Sequence, residues 1–227
     1  MRTLFVFSIT VFTAIAADSH GPQTASKGIS PEVALEWLKY GNERHVQGKH
    51  VHWHQSLDRR REVAKEKYPH AIVLSCADSR VPPEIVFDQG LGDLFVVRVA
   101  GNVAGEKEIG SIEYAAEHLH APLIVVMGHQ RCGALQAAVG GGAAPCHIGS
   151  LIASLTPAVA RVKGMAGDTV DHAIHANVRM VADQLRENEP ILGHLVKTGK
   201  VKVVGAYYSL DTGEVHWIEG RHSALPH

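Results

Sequence analysis

Four short apolar runs, spaced by stretches of helical periodicity, constrain this chain more than any other feature. Residues 71–75 (AIVLS), 94–99 (LFVVRV), 122–127 (PLIVVM) and 201–208 (VKVVGAYY) are rich in β-branched residues and poor in charge, as strands covered on both faces are. Between them, 106–119 sets Ile109, Ile112, Ala115, Ala116 and Leu119 on one helical face, and 168–188 does so with Val170, Ile174, Val178, Val181 and Leu185. The alternation predicts an α/β fold, with a mostly parallel central sheet of about four strands flanked by helices. Asp211-Thr212-Gly213 is too short a link for a crossover, so 214–218 adds an antiparallel edge strand. Ser30-Pro31-Glu32 carries the cap, proline and acid of a helix start. It opens a helix over 31–48, an N-terminal helical arm on the domain. A surface helix is predicted over 56–67 with Leu57, Val63 and Ala64 inward, and further helices over 149–163 and from Pro190 to Lys197.

A chain of 227 residues can bury one good core. Residues 1–17 read as a signal peptide: Arg2, an apolar stretch from Leu4 to Ile15, then small residues that place cleavage after Ala16 or Ala17. The stretch is too short to span a bilayer, so the sequence predicts a periplasmic or secreted protein with no stable membrane anchor. Residues 18–29 follow as a flexible lead-in, 30–220 as a single domain and 221–227 as a tail. Basic and acidic residues number 22 and 23 without a long block of one sign, which gives no surface for nucleic acid. Sixteen histidines are the compositional oddity. His50, His52 and His54 alternate around Trp53 in a connector that reads as a solvated loop, although a second metal site is conceivable there.

Parallel strands bring their carboxyl ends to one edge. The first strand ends in Cys76, Asp78 and Arg80, the third in His129 and Cys132. One imidazole and two thiolates are three good zinc ligands that leave a fourth position open, the mark of a catalytic site. Cys132 also opens a helix, whose first turn favours a thiolate. In an exported chain with three cysteines, a Cys76–Cys132 disulfide is the competing reading. Asp78 and Arg80 favour the metal, because a structural disulfide has no use for an ion pair at its edge.

Cys-x-Asp-x-Arg followed by His-x-x-Cys-Gly resembles the β-class carbonic anhydrases. The likeness runs through Ser75–Glu84 (SCADSRVPPE), Gly92–Asn102 (GDLFVVRVAGN), Gly110–Ala115 (GSIEYA) and Gly128–Gly133 (GHQRCG), in order, within a stretch from about residue 30 to 219. It implies a zinc (Zn2+) lyase that hydrates carbon dioxide reversibly, by attack of zinc-bound hydroxide. Cys76, His129 and Cys132 would bind zinc, and Asp78 and Arg80 would form the catalytic dyad. Two thiolates should make the zinc water less acidic than a three-histidine site would, so alkaline pH should favour turnover. Phe95, Tyr114 and Gly133 correspond to the substrate side of a cleft completed across a homodimer or homotetramer interface.

Two departures from the family pattern stand out. Lys67 occupies the place of a frequent glutamine. The Trp-Arg-Tyr trio that binds inhibitory bicarbonate in some members reads Val73, Arg98 and Tyr208, which predicts a formed Asp78–Arg80 pair and weak bicarbonate inhibition. Cys146 lies outside the motifs, as a free thiol or an intersubunit disulfide. Hydrolysis of carbonyl sulfide or carbon disulfide, or a non-catalytic zinc or redox role, are the alternative functions.

Overall fold

The computed structural model describes residues 28–142 and 144–218. The expected signal peptide, most of the lead-in and the tail therefore lie outside the described residues. Five strands, β1 (Ala71–Ser75), β2 (Leu94–Arg98), β3 (Leu123–His129), β4 (Lys202–Tyr208) and β5 (Val215–Ile218), form one sheet in the order β2-β1-β3-β4-β5. The first four are parallel, and β5 pairs antiparallel with β4. Chain order moves from β1 outward to β2, then returns past β1 to β3. The crevice between the ends of β1 and β3 is thus the point where the winding reverses, the place where open α/β sheets bind ligands.

Helices cover both faces. On one, α7 (Thr169–Glu187) packs against β3 and β4. It comes so near that a Cβ on Gly128 would lie 2.6 Å from Val178, so the strand end at His129 needs glycine beside it. Asp168 caps this helix by accepting from the amides of Val170 and Asp171. Tyr207 points to α7 and hydrogen-bonds Asp171, whereas its neighbour Tyr208 points to the opposite face and meets His45. That opposite face carries α1 (Pro31–Val46) and α3 (Pro83–Val86). α4 (Glu106–Glu117) lies against β1 and β2, while α5 (Gly133–Gly140) and α6 (Ile148–Arg161) stack with α7. α8 (Leu192–Lys197) leads into β4. β1 and β3 are buried along their whole length, as expected of strands covered on both faces.

α1 is docked on its own chain, and one local expectation changes. Ala34, Leu35 and Leu38 are buried, and Asn42 donates to the carbonyls of Val86 and Gly213 while accepting from the Val215 amide. The helix expected over 56–67 spans only α2 (Leu57–Val63), with Leu57 62% exposed. Its buried residue is Arg59, which donates to the Leu91 carbonyl at 2.9 Å and pairs with Asp93 at 3.3 Å. Asp93 is fully buried and needs that cation more than the core needs Leu57. Among the described residues, no helix is long and apolar enough to cross a membrane.

Candidate metal centre

β1 runs directly into Cys76, and β3, hydrogen-bonded beside it, ends at His129 before the turn to Cys132. The Cys76 and Cys132 sulfurs and a His129 ring nitrogen all lie within 4.8 Å of one another, and all three side chains are buried. The sulfurs are 3.9 Å apart. That is far beyond a disulfide bond of about 2.05 Å, and near the ~3.8 Å between two thiolates at ~2.3 Å from a tetrahedral zinc. The Nδ1 of His129 donates to the Gln130 carbonyl at 2.9 Å, so in the neutral ring Nε2 carries the lone pair. Nε2 is buried and has no hydrogen-bond partner among the described residues. A buried nitrogen with its lone pair facing two sulfurs is a donor set that could hold a metal ion, and these donors suit zinc.

The surroundings bias the sulfurs. The hydrogen bond from Cys132, helped by His129 and by the Gly101 amide at 3.3 Å, holds the Cys76 thiol well below its ordinary range despite burial. Cys132, giving that hydrogen bond and itself buried, is pushed up, which the amides of Ala134 and Leu135 at the start of α5 partly offset. Gly101 has φ +74, and a Cβ there would lie 2.9 Å from Leu155, so only glycine gives this turn both its left-handed backbone and its close fit. Asn177, buried on α7, donates to the Gly101 carbonyl at 2.9 Å and fixes the turn from behind.

Beside the trio, the Asp78 carboxylate accepts from the Arg80 amide and Nε, both at 2.9 Å, and from Nη2 at 2.7 Å. Arg80 thereby holds the Asp78 carboxyl far below the usual carboxylate range. Asp78 Oδ2 lies 3.9 Å from His129 Nε2, so the carboxylate flanks the ligand set. Arg98 ties the segment down from the β2 side, donating to the carbonyls of Cys76 at 3.1 Å and Asp78 at 2.6 Å. Arg80 also reaches the carbonyl of Arg131, whose own side chain is paired with Asp211.

A family model described as "Carbonic anhydrase" matches residues 71–215. Over 188 residues the chain is 39% identical to carbonic anhydrase 2 of Mycobacterium tuberculosis, covering 81% of this chain and 91% of that one. Among solved structures it is similar to the β-carbonic anhydrase CcaA, with TM-score 0.66, 25% identity, and coverage of 82% of this chain and 95% of that one. The chain belongs to the β-class carbonic anhydrases. The tetrameric β-carbonic anhydrases of the ascomycete Sordaria macrospora share the fold at 21% identity and TM-score 0.65, covering 82% of this chain and 94% of theirs.

Within this carbonic anhydrase the remaining sequence-derived residues scatter. Phe95 and Tyr114 form a tilted ring pair, with centroids 6.4 Å apart, on the β2 edge, where Tyr114 is 49% exposed. Gly133 is the exposed first residue of α5. Lys67 lines a surface depression with Arg59, Glu62 and Tyr68 and does not reach the trio. Of the three positions matched to a bicarbonate pocket, Val73 is buried in β1, Arg98 is engaged with the backbone at Cys76 and Asp78, and the Tyr208 hydroxyl meets His45. Sequence reasoning missed Gly101 and Asn177. The glycine-asparagine pair after β2 was the visible signal for the turn, but nothing in the sequence marked Asn177.

Proposed function

We propose that this carbonic anhydrase interconverts carbon dioxide and water with bicarbonate and a proton, at a zinc ion held by Cys76, His129 and Cys132. The observation that carries the reading is the orphaned His129 Nε2 facing two sulfurs at zinc-ligand spacing, with a paired Asp78–Arg80 beside them. When bound, zinc supplies a Lewis acid that brings the ionisation of water close to neutral pH.

The chain's own groups do the rest. Gln130 fixes the His129 tautomer through its carbonyl. The Gly101 amide stabilises charge on the Cys76 sulfur. Asp78, held by Arg80, stays ionised and offers an acceptor toward the open side of the trio, orienting a water or hydroxide proton there. Because Arg80 occupies both carboxylate oxygens, Asp78 is kept from becoming a fourth ligand. Asp78 is partly exposed and Arg80 half-exposed, so the product anion and the proton have a short way out to solvent.

The assembly we propose is at least a homodimer through the β2 edge, which has no neighbouring strand among the described residues and where half-exposed Tyr114 of α4 lies beside Phe95. Export remains part of the proposal, on the strength of residues 1–17. N-terminal sequencing of the mature protein tests it, and an unprocessed Met1 would refute it. For the activity, stopped-flow hydration of carbon dioxide with zinc quantified on the same sample is decisive. Stoichiometric zinc without hydration would overturn the reading. So would an Asp78→Ala variant as active as the parent.

A further inference from the structure

The connector histidines join a residue of α1 that the sequence pattern did not connect with them. His45 Nδ1 lies 3.0 Å from His50 Nε2. His45 Nε2 lies 3.0 Å from the Tyr208 hydroxyl. If Nε2 donates that proton to Tyr208, Nδ1 is left with a lone pair, the usual arrangement by which an outer oxygen partner orients a metal-binding imidazole. Burial lowers the proton affinity of His45, with His50 adding to the effect, so the ring is available in its neutral form. His50 is held in plane by His52, whose ring stacks on it at 5.7 Å and 15°. The connector is pinned by Asp88, which accepts from the amides of Val51 at 3.1 Å and His52 at 3.2 Å and pairs with Arg44. His54 is turned elsewhere, onto the buried Asp93.

Two nitrogens 3.0 Å apart can share one proton or one cation. Nitrogens about 2.0–2.1 Å from a metal are ~2.9 Å apart at a right angle and ~3.3 Å apart at the tetrahedral angle. The observed 3.0 Å is nearer the first, and right-angled nitrogen ligation suits copper(II) and nickel(II). Among the described residues, three donors converge only at Cys76, His129 and Cys132. The histidine pair offers two, which leaves the other positions to water and makes this a weaker, exchangeable site. We propose that His45 and His50 form a second cation site, a cis pair of imidazoles for a tetragonal divalent ion such as nickel(II) or copper(II), separate from the Cys76–His129–Cys132 centre.

The test uses untagged, zinc-loaded protein carrying Cys146→Ser, which removes the exposed thiol. Nickel chloride is titrated by equilibrium dialysis, with nickel and zinc counted together. Sixteen histidines in the chain make stray binding certain, so the measurement is the difference from His50→Ala and His50→Gln in the same background. The parent should take up one more nickel per chain than either variant, with at least a tenfold tighter apparent affinity and unchanged zinc. Within the parent, paramagnetic nickel should broaden the ring protons of two histidines before the others. Equal uptake by parent and variants overturns the proposal, as does nickel uptake matched by zinc release. Absence of any early-broadened histidine pair in the parent also overturns it, whatever becomes of the variants.

Discussion

Arg80 holds Asp78 by both carboxylate oxygens, Nε to Oδ1 at 2.9 Å and Nη2 to Oδ2 at 2.7 Å, while its amide gives Oδ1 a further hydrogen bond at 2.9 Å. A carboxylate so held is ionised and directed.

The two members of this pair should therefore fail differently. Asp78→Asn keeps the shape but loses the anionic acceptor, and kcat/KM for hydration should fall about 100-fold or more. Arg80→Gln leaves Asp78 in place but loosens its aim, which should cost on the order of tenfold and allow the freed carboxylate to compete for the metal. Zinc content should stay at one per chain in both. Parallel metal analysis and stopped-flow rates check this, and equal rates for Arg80→Gln and parent would show that the pair is decorative.

Behind the sulfurs, Asn177 and Gly101 act as one support. Asn177→Leu leaves the buried Gly101 carbonyl without its donor, a loss of about 1–3 kcal/mol. With the turn released, the amide aimed at Cys76 drifts, and zinc should be held about tenfold less tightly. Gly101→Ala should be worse, because its Cβ meets Leu155 at 2.9 Å from a left-handed backbone. Competition against a chelator, alongside thermal unfolding, measures both effects. Unchanged zinc affinity in Asn177→Leu would remove the turn from the metal's support.

The sheet was legible because apolar runs of strand length alternate with helical periodicity, and burial of β1 and β3 on both faces erases polar residues from them. The cluster of Cys76, His129 and Cys132 was legible because it sits where those runs stop. What periodicity could not see was charge taken inside. Arg59 lies on a helix whose apolar residues suggested the opposite face, and only its pairing with buried Asp93 explains its inward turn. His45 reads as an ordinary α1 surface residue until β4 brings Tyr208 against it. Asn177 is one polar residue on an amphipathic helix, and its purpose depends on a carbonyl 76 positions away.

Removal of the metal should expose a thiol chemistry that the loaded site hides. Cys146 is exposed and Cys76 and Cys132 are buried, so the zinc-loaded protein should titrate about one thiol with a disulfide reagent. After chelation, Cys76 is the thiol held below its ordinary range, 3.9 Å from its partner. It should react first, and mild oxidation should then join Cys76 to Cys132 and block reloading. Zinc added before the oxidant should protect. Three readily titrated thiols in the loaded protein would contradict a metal at this trio.

Acid should weaken the fold through His70, at the opposite end of β1 from Cys76. This residue precedes β1, is 2% exposed, packs edge-on to Trp37, and leaves both ring nitrogens without hydrogen-bond partners among the described residues. Burial lowers its pKa to about 4, against an ordinary 6.5. The folded state thus binds the proton less readily than the unfolded chain. The stability associated with a neutral His70 is fully present above about pH 6.5, declines as pH falls from there to about 4, and falls no further below that. The span corresponds to a loss on the order of 3 kcal/mol. His70→Leu has no proton to gain, so denaturant unfolding at pH 7 and pH 4.5 should show a smaller acid penalty in the variant than in the parent. An identical penalty in both would mean that the acid sensitivity of the fold resides in other groups.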